Sequence, residues 1–120
     1  MRVLVTGANG LVGSALCRAL LRNGHTPVAF AREGSNTQLI PMQAIPAAGD
    51  FTLPKDVQRA MDEHTPEAIF HAGAIVSSGR PNLAESRRVN VLATRQLARF
   101  AAQFGVHRFL HVSSMSAHSG

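Results

Sequence analysis

The residues whose types and spacing point to chemistry come first in Val3-Leu-Val-Thr-Gly-Ala-Asn-Gly-Leu-Val-Gly13, an apolar run broken by three glycines at spacing three. Such a run reads as a strand that turns on glycine straight into a helix. Gly7 permits the sharp turn, Gly10 has no side chain to hold a pyrophosphate off the backbone, and Gly13 lets the helix lie close to the strand. The first N–H groups of a helix lack intrahelical partners and sit at its positive end, so they attract an anion. A dinucleotide is the natural guest, with Gly7, Gly10 and Gly13 forming its turn.

Further positions extend this site. Arg32 ends the second apolar run, beside the expected adenosine ribose, where an arginine suits a 2′-phosphate and an acid would suit free hydroxyls. Arg32 therefore favours NADP; if it only stacks on the adenine ring, NAD binds as well. Asp50, followed by Phe51, either accepts from the adenine amino group or marks a turn. Gly73 and Ala74 let the backbone approach ribose and diphosphate. Metal is not expected: His25, His64, His71 and His118 are scattered, and His107 and His111, four apart in a strand, are too distant to share an ion. Cys17, the only cysteine, reads as a buried inert thiol.

The elements that must position these groups follow from periodicity. Leu11 and Val12, Ala15 and Leu16, Ala19 and Leu20 recur as one buried helical face, which Arg22-Asn-Gly24 ends. Pro27 to Arg32 is a second buried strand, completing a βαβ unit of about thirty residues. Glu33 to Gly49 is loop-like, with a short third strand around Ala44 to Ala48. A helix from about Leu53 to His64 has Thr52 as N-cap, Pro54 in its first turn, and Val57, Ala60, Met61 and His64 on one face. Ala68 to Ile75 is a fourth strand running into a small-residue turn. After Pro81, Leu83 to Phe104 is a long helix with Ala93, Leu97, Phe100, Ala101 and Phe104 as its core stripe and Arg88, Arg95 and Arg99 on a solvated side. His107 to Ser114 is the fifth strand. The alternation implies an α/β fold, a doubly wound parallel (Rossmann) sheet in the order 3-2-1-4-5 with the ligand crevice where the order reverses.

Composition narrows the class. The 120 residues form one domain, 45% hydrophobic and 16% charged, with no apolar run long enough to span a membrane and no signal-peptide layout, so a cytoplasmic location is expected. The formal charge of +5 comes from eleven arginines and Lys55 against seven acids. The arginines are dispersed and neither tryptophan nor tyrosine is present to stack bases, so a polyanionic small molecule explains the charge better than nucleic acid.

Thr6-Gly-Ala-Asn-Gly-Leu-Val-Gly13, Gly49-Asp50, Ile69-Phe-His-Ala-Gly-Ala74, Asn90-Val-Leu-Ala-Thr94 and Phe109-Leu-His-Val-Ser-Ser114 together resemble the successive motifs of the extended short-chain dehydrogenase/reductase family, which includes nucleotide-sugar epimerases, dehydratases and dihydroflavonol-type reductases. The resemblance implies an NAD(P)-binding domain over residues 1–120, with Thr6, Gly7, Asn9, Gly10, Leu11, Val12 and Gly13 at the cofactor turn, Asp50 on adenine with Phe51 beside it, and Ala72 to Ala74 along the cofactor. It implies that Asn90 orders the active-site backbone, that Ser114 is the catalytic serine on the reacting oxygen, and that Ser116 contacts substrate. A hydrogen-bonded strand end is the alternative for the serines. The chain departs from the family in having no tyrosine, and its one lysine, Lys55, lies on an early helix, so the usual acid–base pair is missing. It therefore looks like the N-terminal portion of such an enzyme, cut after strand 5 without the substrate-binding part and inactive alone. A non-catalytic dinucleotide sensor or scaffold is the alternative. An exposed sheet edge implies self-association.

Overall fold

A computed structural model describes residues 1–73 and 83–112. Five strands, β1 (Arg2–Thr6), β2 (Thr26–Ala31), β3 (Ile45–Ala48), β4 (Ala68–His71) and β5 (Arg108–His111), alternate with three helices, α1 (Leu11–Arg22), α2 (Pro54–His64) and α3 (Leu83–Gln103). The strands form one sheet in the order β3-β2-β1-β4-β5, with every pairing parallel. This is the doubly wound order read from the sequence. The chain builds outward from β1 to β3 and then crosses to β4 on the other side of β1, so β1 and β4 flank the switch point.

Strand alternation divides the core in two. Leu4, Val28, Phe30 and Ile69 pack with Val57, Ala60 and Met61 of α2 and Leu97, Phe100 and Ala101 of α3. Val3, Val5, Ala29 and Ala68, on the opposite face, pack with Cys17 and Leu20 of α1. Period-two burial on both faces is what a parallel sheet covered by helices requires. The α3 stripe packs as its spacing indicates, with Phe104 joining from the edge of the cluster, while Arg88, Arg95 and Arg99 are exposed.

Three local expectations are corrected. The buried face of α1 is Gly13, Ser14, Cys17 and Leu20, whereas Leu11 is 79% and Val12 46% exposed and Ala15 is exposed as well. Contact between Gly13 and the turn before it fixes the helix rotation, leaving only Leu16 and Leu20 of the expected stripe in or against the core. Thr52 does not cap α2: the N-cap is Leu53, without a side-chain bond, and the Thr52 hydroxyl donates to Asp50 Oδ1 at 2.7 Å. β4 ends at His71 and β5 at His111, with Ala72 and Val112 already beyond the strands, while Ile75 and Ser114 lie outside the described residues.

Candidate functional site

The carboxyl ends of β1 and β4 meet through glycine. Gly7 has φ +63°, a conformation few side chains tolerate, and a Cβ there would stand 2.6 Å from Gly73 Cα and 2.9 Å from the Ala72 carbonyl carbon. A Cβ on Gly13 would stand 2.0 Å from the Gly7 carbonyl oxygen. Both glycines thus answer to close approach of the protein's own backbone. Gly10 is different: it is exposed, and a Cβ would meet only Gly7 O, at an ordinary 3.5 Å. Gly10 is also the N-cap of α1 and offers no side-chain cap. Its N–H donates to Gly7 O at 3.0 Å and its carbonyl accepts from Ser14 N–H at 2.9 Å, so the turn is closed while the helix start beside it stays uncapped.

Beneath this turn lies a buried polar knot. Thr6 Oγ1 is 2.6 Å from His71 Nδ1 and accepts from Gly73 N–H at 3.0 Å. Thr6 and His71 are paired in register and are 0% and 1% exposed. A buried hydroxyl proton without a partner is costly, so the arrangement that satisfies every group has Thr6 donating to a neutral Nδ1. Electrostatics agree: burial, aided by His111, lowers the His71 pKa from 6.5 to about 4. The His71 ring stacks on His111 with centroids 5.0 Å apart and meets Phe51 edge-on at 5.0 Å. Phe51 in turn lies over Gly73, where a Cβ would be 2.7 Å from its Cε2.

The described contacts therefore bring Thr6, Gly7, Gly13, Phe51, Ala72 and Gly73 together. The turn carrying Ala8 and Asn9 is joined to β2 by Ala8 N–H donating to Phe30 O at 3.4 Å. Arg32 follows β2 as an exposed residue, in a turn where the Ser35 N–H and hydroxyl both donate to its carbonyl. Asp50 follows β3 with Oδ1 accepting from Thr52 N–H at 2.9 Å and from the Thr52 hydroxyl, so it does mark a turn. Asn90 stands on α3, its carbonyl accepting from Thr94 Oγ1 at 2.8 Å. Ala74, Pro81, Ser114, Ser116 and His118 lie outside the described residues.

The sequence alone leaves His71 among scattered histidines. The available signal is its place near the end of a buried apolar strand, where a polar residue needs a partner, with Thr6 ending the strand beside it. Cys17 is buried as expected, and burial pushes its thiol up to about 11 against the opposing pull of Arg18. Among the described residues no group of three or more His, Cys, Asp or Glu is placed to hold a metal, and no helix is long and apolar enough to cross a membrane.

Comparison with known proteins bears on the whole of this arrangement. The chain is 36% identical over 118 residues to sterol demethylase protein B of Methylococcus capsulatus, covering 98% of this chain and 35% of that protein. It is 34% identical over 122 residues to UDP-glucose 4-epimerase of Mycolicibacterium smegmatis, covering 95% of this chain and 39% of that one. It thus spans a little over a third of the length of these relatives. Among solved structures, the NAD complex of the UDP-glucose 4-epimerase of Thermus thermophilus superposes with a TM-score of 0.80 at 27% identity, over 91% of this chain and 36% of that one. An epimerase from Methanothermobacter thermautotrophicus gives 0.82 at 28% identity, over 99% and 37%. The model of the NAD dependent epimerase/dehydratase family matches residues 3–119, and the chain belongs to that family.

Proposed function

We propose that this chain is the NAD(P)-binding portion of an oxidoreductase or nucleotide-sugar epimerase/dehydratase that transfers hydride between nicotinamide and a carbinol or carbonyl carbon. The observation that carries the reading is Gly10. Gly7 and Gly13 are bare because the protein packs against them, but nothing among the described residues needs Gly10 bare, and the space it leaves adjoins the start of α1, which has no side-chain cap. That combination fits a diphosphate resting on main chain. Leu11 and Val12, apolar and exposed there, are the side chains a bound dinucleotide covers, and Asn9 flanks it.

In this reading Asp50 keeps Oδ1 for its own turn and offers Oδ2 to the adenine amino group, with Phe51 beside it. Ala72, Gly73 and Ala74 run along the cofactor, Asn90 orders the active-site backbone, Ser114 holds the reacting oxygen and Ser116 touches substrate. Nicotinamide, when bound, supplies the hydride donor or acceptor. The chain contains no tyrosine, and Lys55 is exposed on α2, so the family's usual proton carrier is not among its residues, and the chain alone is expected to bind without turnover. The same lack of tyrosine favours a second reading, a non-catalytic dinucleotide-binding sensor or scaffold.

Arg32, exposed where β2 ends, supports NADP over NAD, because a guanidinium pairs with a 2′-phosphate in bidentate fashion. NAD is the alternative, and it is the ligand in the Thermus thermophilus structure. Titration of the purified chain with each dinucleotide tests both points. Arg32→Ala is expected to weaken NADP about tenfold more than NAD. Equal losses return the choice to NAD, and binding of neither cofactor removes the sensor reading.

A further inference from the structure

We propose that Asp56 is a positioning residue for the adenosine end of the site, a role that rests on the dinucleotide reading above. α2 begins with Leu53 at its N-cap, a side chain with no oxygen to offer. The carboxylate in its first turn, Asp56, is favoured there by the helix dipole and reaches back beyond the cap. Asp56 Oδ2 accepts from Asp50 N–H at 2.9 Å. Asp56 Oδ1 accepts from Arg59 Nη2 at 3.3 Å, and the same nitrogen donates to the Ala48 carbonyl at 3.3 Å.

These bonds grip both sides of Gly49. The glycine is wedged between them, since a Cβ on it would stand 2.6 Å from Phe30 Cε1 and 3.2 Å from Asp56 Cβ. With Asp50 N–H held by Asp56 and Asp50 Oδ1 held by Thr52, the loop after β3 is bonded on both sides of the next side chain. That side chain is Phe51, whose ring is laid over Gly73 and edge-on to His71. Asp56 thus fixes, from a helix outside the crevice, the loop that meets adenine and the ring that closes on the β4 turn. The Asp56–Arg59 pair itself contributes little to stability, because Arg59 is 56% exposed.

The test compares Asp56→Ala, Asp56→Asn and, as a control on the same helix, Asp62→Ala, in the whole chain. The readouts are NADP and ADP-ribose affinity, urea midpoint and hydrogen exchange of the Asp50 amide. Asp56→Ala is expected to weaken both ligands by one common factor of about ten and to speed Asp50 exchange, while Asp62→Ala changes neither. Asp56→Asn keeps an acceptor for the Asp50 amide and is expected to bind within about threefold of the parent. Parental affinity in Asp56→Ala, or an Asp56→Asn as weak as the alanine, overturns the proposal. If Asp56→Ala does not fold, Asp56→Asn and Arg59→Ala carry the comparison, and unprotected Asp50 exchange in Asp56→Asn overturns it. If the parent chain binds no dinucleotide, the functional reading fails separately, and unchanged Asp50 exchange in Asp56→Ala still decides against Asp56.

Discussion

The two ends of the β1–β4 pair use polar side chains in opposite ways. At the amino ends of the strands the groups are charged and mostly exposed: Arg2 N–H donates to Glu67 Oε1 at 2.9 Å, Arg2 Nε donates to the His64 carbonyl at 2.6 Å, and Arg2 Nη2 reaches Thr65 Oγ1 at 2.9 Å. These bonds tie the bottom of β1 to the end of α2 and to the residue before β4. At the carboxyl ends of β1 and β4 the groups are neutral and buried, Thr6 with His71 and the Gly73 amide, and every one of their bonds aligns the two turns at the switch point. Exposed charge closes one end; buried neutral polarity sets the other, where position matters most.

The contrast breaks most sharply at Gly13. Gly13→Ala drives a Cβ to 2.0 Å from a backbone oxygen that cannot step aside, and a loss of about 4 kcal/mol or more is expected in urea unfolding. Next is Thr6→Val, which leaves the Gly73 amide and His71 Nδ1 without the hydroxyl they share; about 2–3 kcal/mol is expected from the same measurement. A loss below about 1 kcal/mol would mean that the knot is no tighter than the exposed end.

Acid offers a finer separation. Well above pH 6.5 the His71 ring is neutral whether the chain is folded or not, so it contributes no pH dependence there. Between pH 6.5 and about 4 the unfolded chain takes a proton that the buried ring refuses, and stability falls as pH falls; below about 4 the folded ring protonates too and the contribution levels off. Glu67 acts later. The Arg2 amide holds its carboxyl below the ordinary 4.5, and that stability is lost as pH falls through the lowered folded value. Stability profiles of the parent and His71→Asn should therefore diverge between pH 6.5 and 4, with the flatter profile in the variant. The smallest effect is expected from Arg2→Ala, below about 1 kcal/mol, because its partners are solvated.

Much of this was legible in the sequence because glycine and strand order are strong local signals. Gly7 and Gly13 announced a strand meeting a helix at close range, and five apolar runs alternating with helices admitted the order 3-2-1-4-5. The rotation of α1 was not legible. Leu11, Val12, Ala15 and Leu16 make a helical stripe of their own, and only the tertiary contact of Gly13 with Gly7 O decides which stripe faces the sheet. The Thr6–His71 bond was hidden for a related reason: its partners are 65 residues apart, and neither residue names the other until the register of β1 on β4 is known. Asp50 shows a third case, a carboxylate whose neighbour Thr52 looked like a helix cap but turns its hydroxyl back to Asp50.

The central claim is that Gly10 is bare for a ligand while Gly13 is bare for the fold. It is tested most directly by measuring NADP affinity and the urea midpoint of Gly10→Ala beside the parent chain. Binding at least about tenfold weaker, with stability within about 0.5 kcal/mol of the parent, is the expected result. Undiminished affinity in Gly10→Ala contradicts the claim.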